Sequence, residues 1–486
     1  MSQKSRPPIK LEKIDENRWR IPKSGKMQVD GMVYTNERML PMLRRDDTLR
    51  QVANVAELPG LVGPSMAMPD AHQGYGFPIG GVAAFDMDEG VLCPGGIGYD
   101  INCGIRLMRS DLTRRDVDGK IRGLVDELFR SIPCGVGSQR SDVKLGYKAE
   151  RHVLVKGAGW AVSHGYGSKA DLDHIEEQGC LRGADPDVIS ERAYKRGRPQ
   201  LGTLGSGNHF VEIDYVDEVY DAGIASALGL ERDSIAVVVH TGSRGFGYQV
   251  CDESLPAMLE AARKYGIHLP DRQLCCAPIH SPEGQRYFAA MACAANYAFA
   301  NRQIITHFVR QTFEQILQVS PRDLRMNLVY DVAHNIAKFE TYDIGGARRK
   351  ICVHRKGATR AFPAGHPDVP RAYRDIGQPV LIPGDMGRCS YVLVGTDAAL
   401  NTTFGSTCHG AGRVMSRSAA KKQAKGRAIR REMEDQGIIV RSEGRSTLAE
   451  EMSEAYKDVS DVVDVVQSAG ISRKIVRLRP LGVIKG

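Results

Sequence analysis

Asp100 and Cys103 stand three residues apart between Gly98 and Gly104. Three histidines, His209, His240 and His334, each sit at or beside an end of an apolar, β-branched run. A helical turn or a tight loop would put the Asp100 and Cys103 side chains on one side, and strand ends are where α/β architectures gather site chemistry. Carboxylate, thiolate and imidazole together form a mixed hard and soft donor set suited to Mn, Zn or Co, and one sulfur can bridge two ions. Taken singly, each residue has a plainer reading. Cysteine is usually a small buried hydrophobe, aspartate often caps a helix, and a lone strand-end histidine is more often hydrogen-bonded than ligating.

A second constellation is His409-Gly410-Ala411-Gly412-Arg413, ahead of a helix expected to begin near Val414. Small residues before a helix leave backbone N–H groups free to hold an anion. A neutral imidazole there could attack phosphorus, and Arg413 could neutralise phosphate charge; equally, the glycines could make a tight turn with His409 as its cap. The runs Gly202–Gly207 and Gly242–Gly247, with Asn208, Ser243 and Arg244 in or beside them, could also hold phosphate. Neither fits the Walker lysine pattern or a dinucleotide fingerprint.

These residues need a large scaffold. The chain has 486 residues, 42% hydrophobic and 26% charged, which excludes a disulfide miniprotein, a coiled coil and a disordered chain. A formal charge of +8 permits a polyanionic partner without demanding one. Eleven scattered cysteines without a CxxC pair read as reduced thiols. With no apolar run long enough to span a bilayer and no signal core, a soluble cytoplasmic protein is expected.

Patterning predicts strands at Met32–Tyr34, Gly81–Phe85 and Ile105–Met108, and strand–turn–strand over Pro379–Thr396. Helices are expected over Val117–Arg130, Glu283–Gln318, Val414–Gln436 and Thr447–Ala469. Residues 138–200 are polar and read as an insertion or lid. The expectation is one large mixed α/β domain spanning 1–486, with mixed sheets around a central cleft and flanking helices. Basic runs at Arg348–Lys350, Arg413–Lys425 and Arg473–Arg479 could track a polynucleotide or be solvated faces.

Taken together, several motifs resemble one family, the RtcB-type RNA ligases, also called 3′-phosphate RNA ligases or tRNA-splicing ligases. They are Pro69–Gly76 (PDAHQGYG), Gly98–Gly104 (GYDINCG), Gly205–Phe210 (GSGNHF), His240–Gly245 (HTGSRG), Tyr330–Asn335 (YDVAHN), Pro383–Gly387 (PGDMG), His409–Arg413 (HGAGR) and the terminal Leu481–Gly486 (LGVIKG). They run in order through nearly the whole chain.

The resemblance implies that Asp100, Cys103, His209, His240 and His334 bind two Mn(II) ions, with Cys103 as the bridge. It implies that His409 attacks the α-phosphorus of GTP to form a guanylyl-histidine. Asn208, Glu212, Asn335, Asp385, Ser390, Gly410, Ala411, Gly412, Tyr456 and Lys485 would hold the nucleotide, although some family members carry Ser at the position of Asp385. Arg244 and Arg413 would grip RNA phosphate, and Asp70 and His72 lie in the first motif without a definite role. The implied reaction joins an RNA 3′-phosphate or 2′,3′-cyclic phosphate to a 5′-hydroxyl, on tRNA halves or other broken RNA. The resemblance leaves room for an archease-like activator. Two other readings stand beside it: a metal-dependent cyclic phosphodiesterase or phosphatase without ligation, and an RNA-binding scaffold with a structural metal.

Overall fold

A computed structural model describes residues 8–143 and 145–486. Two large β-sheets organise the chain. One has seven strands in the order Glu12–Lys13, Arg18–Ile21, Gly31–Tyr34, Ser65–His72, Ile79–Asp86, Ala347–Lys356 and Asn335–Ile344. The other has eight. Seven follow the order Asn327–Ala333, Gly104–Thr113, Ser234–Thr241, Phe210–Val219, Ser472–Lys485, Ser390–Gly395 and Pro379–Ile382. The eighth, Ile439–Ser442, pairs parallel to Ser472–Lys485. The class is mixed α/β, as the patterning implies.

The strand Ser234–Thr241 is buried at every position, which accounts for its unbroken β-branched run. The hairpin joining Asn335–Ile344 to Ala347–Lys356 turns on Gly345 and Gly346, both at positive φ, the requirement of a two-residue turn between twisted strands. The largest apolar cluster contains Val82, Ala84 and Val353 from one sheet with Ile105, Leu107 and Val238 from the other. A further cluster joins Ile213, Val237 and Val239 of the eight-stranded sheet to Phe299, Ile305 and Phe313. Those three aromatic and aliphatic groups belong to the helix Pro282–Leu317, which matches the expected Ala-rich helix. It starts with Ser281 accepting from the Gly284 N–H at 3.0 Å and proline at its first position. Among the described residues no helix is long and apolar enough to cross a membrane.

Three expected helices differ from what forms. The first begins at Ile121, not Val117, because Gly119 at positive φ closes a turn before it. The stretch from Val414 forms two helices, Arg417–Gln423 and Ile429–Asp435, parted at Gly426. The glycines after His409 therefore lead into a loop rather than directly into a helix. The third stretch breaks into Arg445–Glu450 and Val459–Ser468. Between them the backbone is drawn to the His409 loop: Arg413 bridges Tyr456, and the Lys457 N–H donates to Gly412 O at 2.9 Å. Tertiary pairing there overrides local helix propensity.

Residues 138–200 contain the helices Tyr147–Lys156, Ala158–Ser163 and Glu191–Gly197. Asn296 of the long helix fastens this segment, donating to Leu154 O and Leu181 O and accepting from the Leu181 N–H. Glu150 is fully buried within it and accepts from Arg198 at 3.0 Å. Burial raises its carboxyl from 4.5 to about 7 despite that arginine. A raised folded-state value means that the folded protein holds a proton the unfolded chain has lost, so stability falls as pH rises from about 4.5 to about 7. Urea unfolding of Glu150→Gln between pH 4 and 8 is expected to show a shallower decline than the wild type, with the variant the more stable at pH 8.

Candidate active site

A cleft of about 850 Å³ opens where ends of both sheets meet, and Asp100, Cys103, His209, His240, His334 and His409 all line it. His240 is the penultimate residue of Ser234–Thr241, and His209 immediately precedes Phe210–Val219. His334 is the single residue between the last strand of one sheet and the first of the other. The Asp100–Cys103 loop is a turn closed by the Cys103 N–H donating to Asp100 O at 3.0 Å.

The five donors converge. Cys103 Sγ lies 3.5 Å from His209 Nε2 and 3.2 Å from His240 Nε2. His209 Nε2 is 2.8 Å from Asp100 Oδ2, and His240 Nε2 is 3.4 Å from His334 Nε2. They form two overlapping sets, Asp100–Cys103–His209 and Cys103–His240–His334, with the donor atoms in each within 4.8 Å of one another. The thiol belongs to both.

The chemistry of this donor set fits a cation. His209 Nδ1 donates to Leu204 O at 3.0 Å, which leaves its Nε2 lone pair for the cluster. Burial and neighbouring positive charge hold His240 and His334 well below the usual imidazole range, so both are neutral, as ligands must be. Burial tends to raise Asp100, but His209, Cys103 and Arg244 outweigh it and bring the carboxyl down to about 2. Burial and Asp100 push the Cys103 thiol well above its ordinary value, so a cation is what would draw off its proton.

Behind the cluster sits a fully buried clamp. Arg302, from the long helix, donates to both oxygens of Asp331, to Asn102 O at 2.8 Å, to Asn102 Oδ1 at 3.0 Å and to Thr241 O at 3.0 Å. One guanidinium thus fixes the Asp100–Cys103 loop, the residue after His240, and the strand that ends just before His334. Arg106 adds a second ion pair to Asp331 at 2.6 Å.

His409 follows the strand Ser406–Cys408, with its ring centroid 4.8 Å from that of His334. Its Nδ1 lies 2.6 Å from Asp70 Oδ2. The same oxygen accepts the backbone N–H groups of His409 and Gly410 at 2.9 and 3.2 Å. Burial works to raise the Asp70 carboxyl, but His409 and Lys457 outweigh it, and it stays below its ordinary value. As an anion it accepts a hydrogen bond from Nδ1–H, which leaves the His409 Nε2 lone pair open. Gly412 is at positive φ, and a Cβ there would lie 2.0 Å from Asp70 O, so this approach requires glycine.

The other expected site residues divide between the cleft wall and the interior behind it. Tyr456 donates its hydroxyl to Glu451, while Arg413 donates to Tyr456 Oη at 2.8 Å, to Glu451 at 3.2 Å and to Glu450 O at 2.8 Å. Lys485 is held in the last strand opposite Phe210, 3.5 Å from Glu451. Arg244 opens the helix Arg244–Lys264 and bonds Thr203 Oγ1 at 3.1 Å. Asn208 lies 3.4 Å from Tyr456 Oη, and Asn335 donates to Asp100 O at 3.1 Å. Gly410, Ala411 and Gly412 line the cleft. Glu212, Asp385, Ser390 and Lys485 are buried and are not among the described lining residues. Ser390 Oγ accepts from the Gly384 N–H at 3.2 Å, and Asp385 pairs with Arg388 at 3.2 Å. His72 is half-buried in the cleft wall, and desolvation pushes its imidazole down to about 4.

Sequence reasoning missed Asp214, Glu451, Lys457, the Arg302–Asp331 pair and the Asp70–His409 contact. Asp214 had a signal, since two residues along a strand puts it on the same face as Glu212; burial raises both carboxyls. Arg302 also had one, a charge inside the apolar stretch of the long helix. For Asp70 and His409, 339 residues apart, there was none. Replacing Arg302 with Met leaves Asp331 half-compensated in a dry interior. A loss of about 3–5 kcal/mol is expected in denaturant unfolding, the penalty for breaking a buried pair from one side.

Residues 51–486 match the family model described as tRNA-splicing ligase RtcB. A tRNA-splicing ligase RtcB of Thermococcus kodakarensis is 55% identical over 479 residues, covering 98% of this chain and 99% of that protein. One from Archaeoglobus fulgidus is 55% identical over 478 residues, with 98% and 99% covered. Another from Methanococcus maripaludis is 50% identical over 478 residues, with the same coverage. With the match spanning nearly the whole length and every cleft-lining residue, the chain belongs to the RtcB family of tRNA-splicing ligases.

Proposed function

We propose that this RNA ligase joins an RNA 3′-phosphate or 2′,3′-cyclic phosphate to an RNA 5′-hydroxyl, using GTP and two Mn(II) ions, through a guanylyl group carried on His409. The observation that carries this reading is His409 itself: Nδ1 is committed to Asp70 and the ring stands beside the five-donor cluster. Water-activating hydrolysis needs no such nucleophile.

A 3′-phosphate is a poor electrophile because nothing attached to it leaves readily. The Nε2 lone pair of His409 attacks the α-phosphorus of GTP; a P–N bond forms and pyrophosphate departs. The RNA 3′-phosphate then takes the guanylyl group, breaking the P–N bond and forming a phosphoanhydride. Attack by the 5′-hydroxyl on the 3′-phosphorus releases GMP, and the hydroxyl proton passes to solvent. A cyclic phosphate is first opened by water. Asp70 accepts the hydrogen bond from Nδ1–H throughout, so it fixes the tautomer and supports the positive charge that the ring acquires. Asp100, Cys103 and His209 would hold one ion, and Cys103, His240 and His334 the other. When bound, the ions supply charge neutralisation to the phosphoryl oxygens. Thiolate and imidazole donors favour Mn(II) over Mg(II), which prefers an all-oxygen shell.

Glu212 and Lys485, deep beside the Tyr456–Glu451–Arg413 network, supply the acceptor and cation suited to a guanine base, with Asn208, Asn335, Asp385, Ser390 and the Gly410–Gly412 backbone around them. Arg244 would grip RNA phosphate. The substrates are tRNA halves or other broken RNA, and an archease-like protein is a candidate activator. Compartment follows from the substrate, and we assign the cytoplasm.

Incubation with Mn(II) and α-labelled GTP is expected to label the wild type with an acid-labile adduct and to leave His409→Ala unlabelled. Asp70→Asn should fold, keep the shape and slow labelling by about 100-fold, because the ring loses its tautomer control. An unlabelled wild type would instead leave hydrolysis as the activity.

A further inference from the structure

At the mouth of the cleft lies an aromatic column that the guanylylation chemistry does not use. Tyr99, the residue before Asp100, stacks on Tyr248 with centroids 4.8 Å apart and planes 24° from parallel. Tyr75 meets Tyr99 edge-on at 5.5 Å. On Tyr248 rests the guanidinium of Arg196, 4.7 Å from the ring centroid and steadied by Gln249 at 3.0 Å. Tyr248 is 42% exposed, and Arg196 is exposed as well. All four side chains line the cleft that holds the donor cluster. Tyr248 stands one helical turn beyond Arg244, so the two share a helix face.

The cleft's charge says what should lie there. Its described lining carries Lys195, Arg196, Arg244, Lys356, Arg413 and Arg417 against the single carboxylate of Asp100. A cationic channel with planar groups layered along one wall is the arrangement that takes single-stranded nucleic acid: the charges follow the phosphates and the rings receive the bases. Purely structural packing would explain Tyr99, but not the exposure of Tyr248 or the cation laid across it in a cleft already rich in positive charge.

We propose that Tyr99, Tyr248 and Arg196 form a stacking platform for an unpaired nucleobase at the RNA end being joined. This rests on the reading of the cleft as the RNA site. The base adds to the column as its next layer, with its phosphate on the Arg244 side. The guanidinium of Arg196, backed by the Tyr248 ring, offers a planar face to the base, so the platform accepts purines and pyrimidines alike and positions the strand end without reading sequence.

The test uses the full-length protein and fluorescently labelled single-stranded RNA oligonucleotides, some with a 5′-hydroxyl and some with a 3′-phosphate, each made intact and with an abasic terminal nucleotide. Anisotropy is expected to show Kd raised about tenfold in Tyr248→Ala for at least one kind of end. Tyr248→Phe should match the wild type. Tyr248→Leu, which keeps apolar packing but lacks the ring, should behave as Tyr248→Ala. The abasic oligonucleotide should bind the wild type as weakly as the intact one binds Tyr248→Ala, and should cost that variant nothing more. Equal Kd values for wild type and both ring-lacking variants would overturn the proposal. So would an abasic penalty that is the same with and without the ring. Labelling of His409 by GTP, run alongside without RNA, should be unchanged in Tyr248→Ala; its failure in the wild type would sink the ligase reading and still leave the anisotropy comparison to decide the platform.

Discussion

One sulfur atom belongs to two donor sets, and the remainder of the site is arranged around that fact. Cys103 Sγ is within reach of His209 on one side and His240 on the other, with Asp100 and His334 completing the two groups. Sharing a donor forces the groups close together, and it forces four separate stretches of chain to end at the same point. Such convergence is costly: it buries a thiol and imidazoles among apolar strands, with a half-buried carboxylate beside them, where a polar group without partners is destabilising. The Arg302 clamp offsets this cost. It satisfies Asp331, Asn102 and Thr241 at once, and those residues adjoin the loop and strands that carry the donors. A buried charge network of this kind is weak evidence for stability, but it suits a role in holding geometry.

The two sheets explain how the histidines meet. His334 is the corner at which the chain leaves one sheet and enters the other, so its position is tied to both. His240 and His209 come from adjacent antiparallel strands, with His240 opposite Phe210. On the far side of the cleft Asp70 performs the corresponding service for His409, gathering its ring proton and two backbone N–H groups onto one oxygen. His409 and the donor cluster are therefore positioned by different networks and meet through the contact of the His409 and His334 rings.

How much of this was legible in the residues differs from part to part. Strand-end histidines beside Asn or Thr, and Asp100 with Cys103 in a tight loop, are local patterns, and the structure brings those five side chains together. The long helix was readable because its Ala-rich stretch runs unbroken. The region from Val414 parts at Gly426, and the break in the region from Thr447 was not readable, because it is imposed by distant pairing: Arg413 with Tyr456, Gly412 with Lys457. Neither leaves a trace in local periodicity. The same holds for Asp70 and His409, whose pairing is visible only once the seven-stranded sheet is built. Arg302 and Asp214 occupy an intermediate place. A charge inside an apolar helix, and a second carboxylate at strand spacing from Glu212, mark positions that need partners, yet nothing in the sequence says which partners.

The central claim is that a single thiolate lies between two cations. Anomalous diffraction from crystals grown with Mn(II), recorded on both sides of the manganese edge, addresses it directly. The account expects two peaks, one among Asp100, Cys103 and His209 and the other among Cys103, His240 and His334, each at bonding distance from the same sulfur. A single peak, or a pair of which only one touches Cys103, would contradict it.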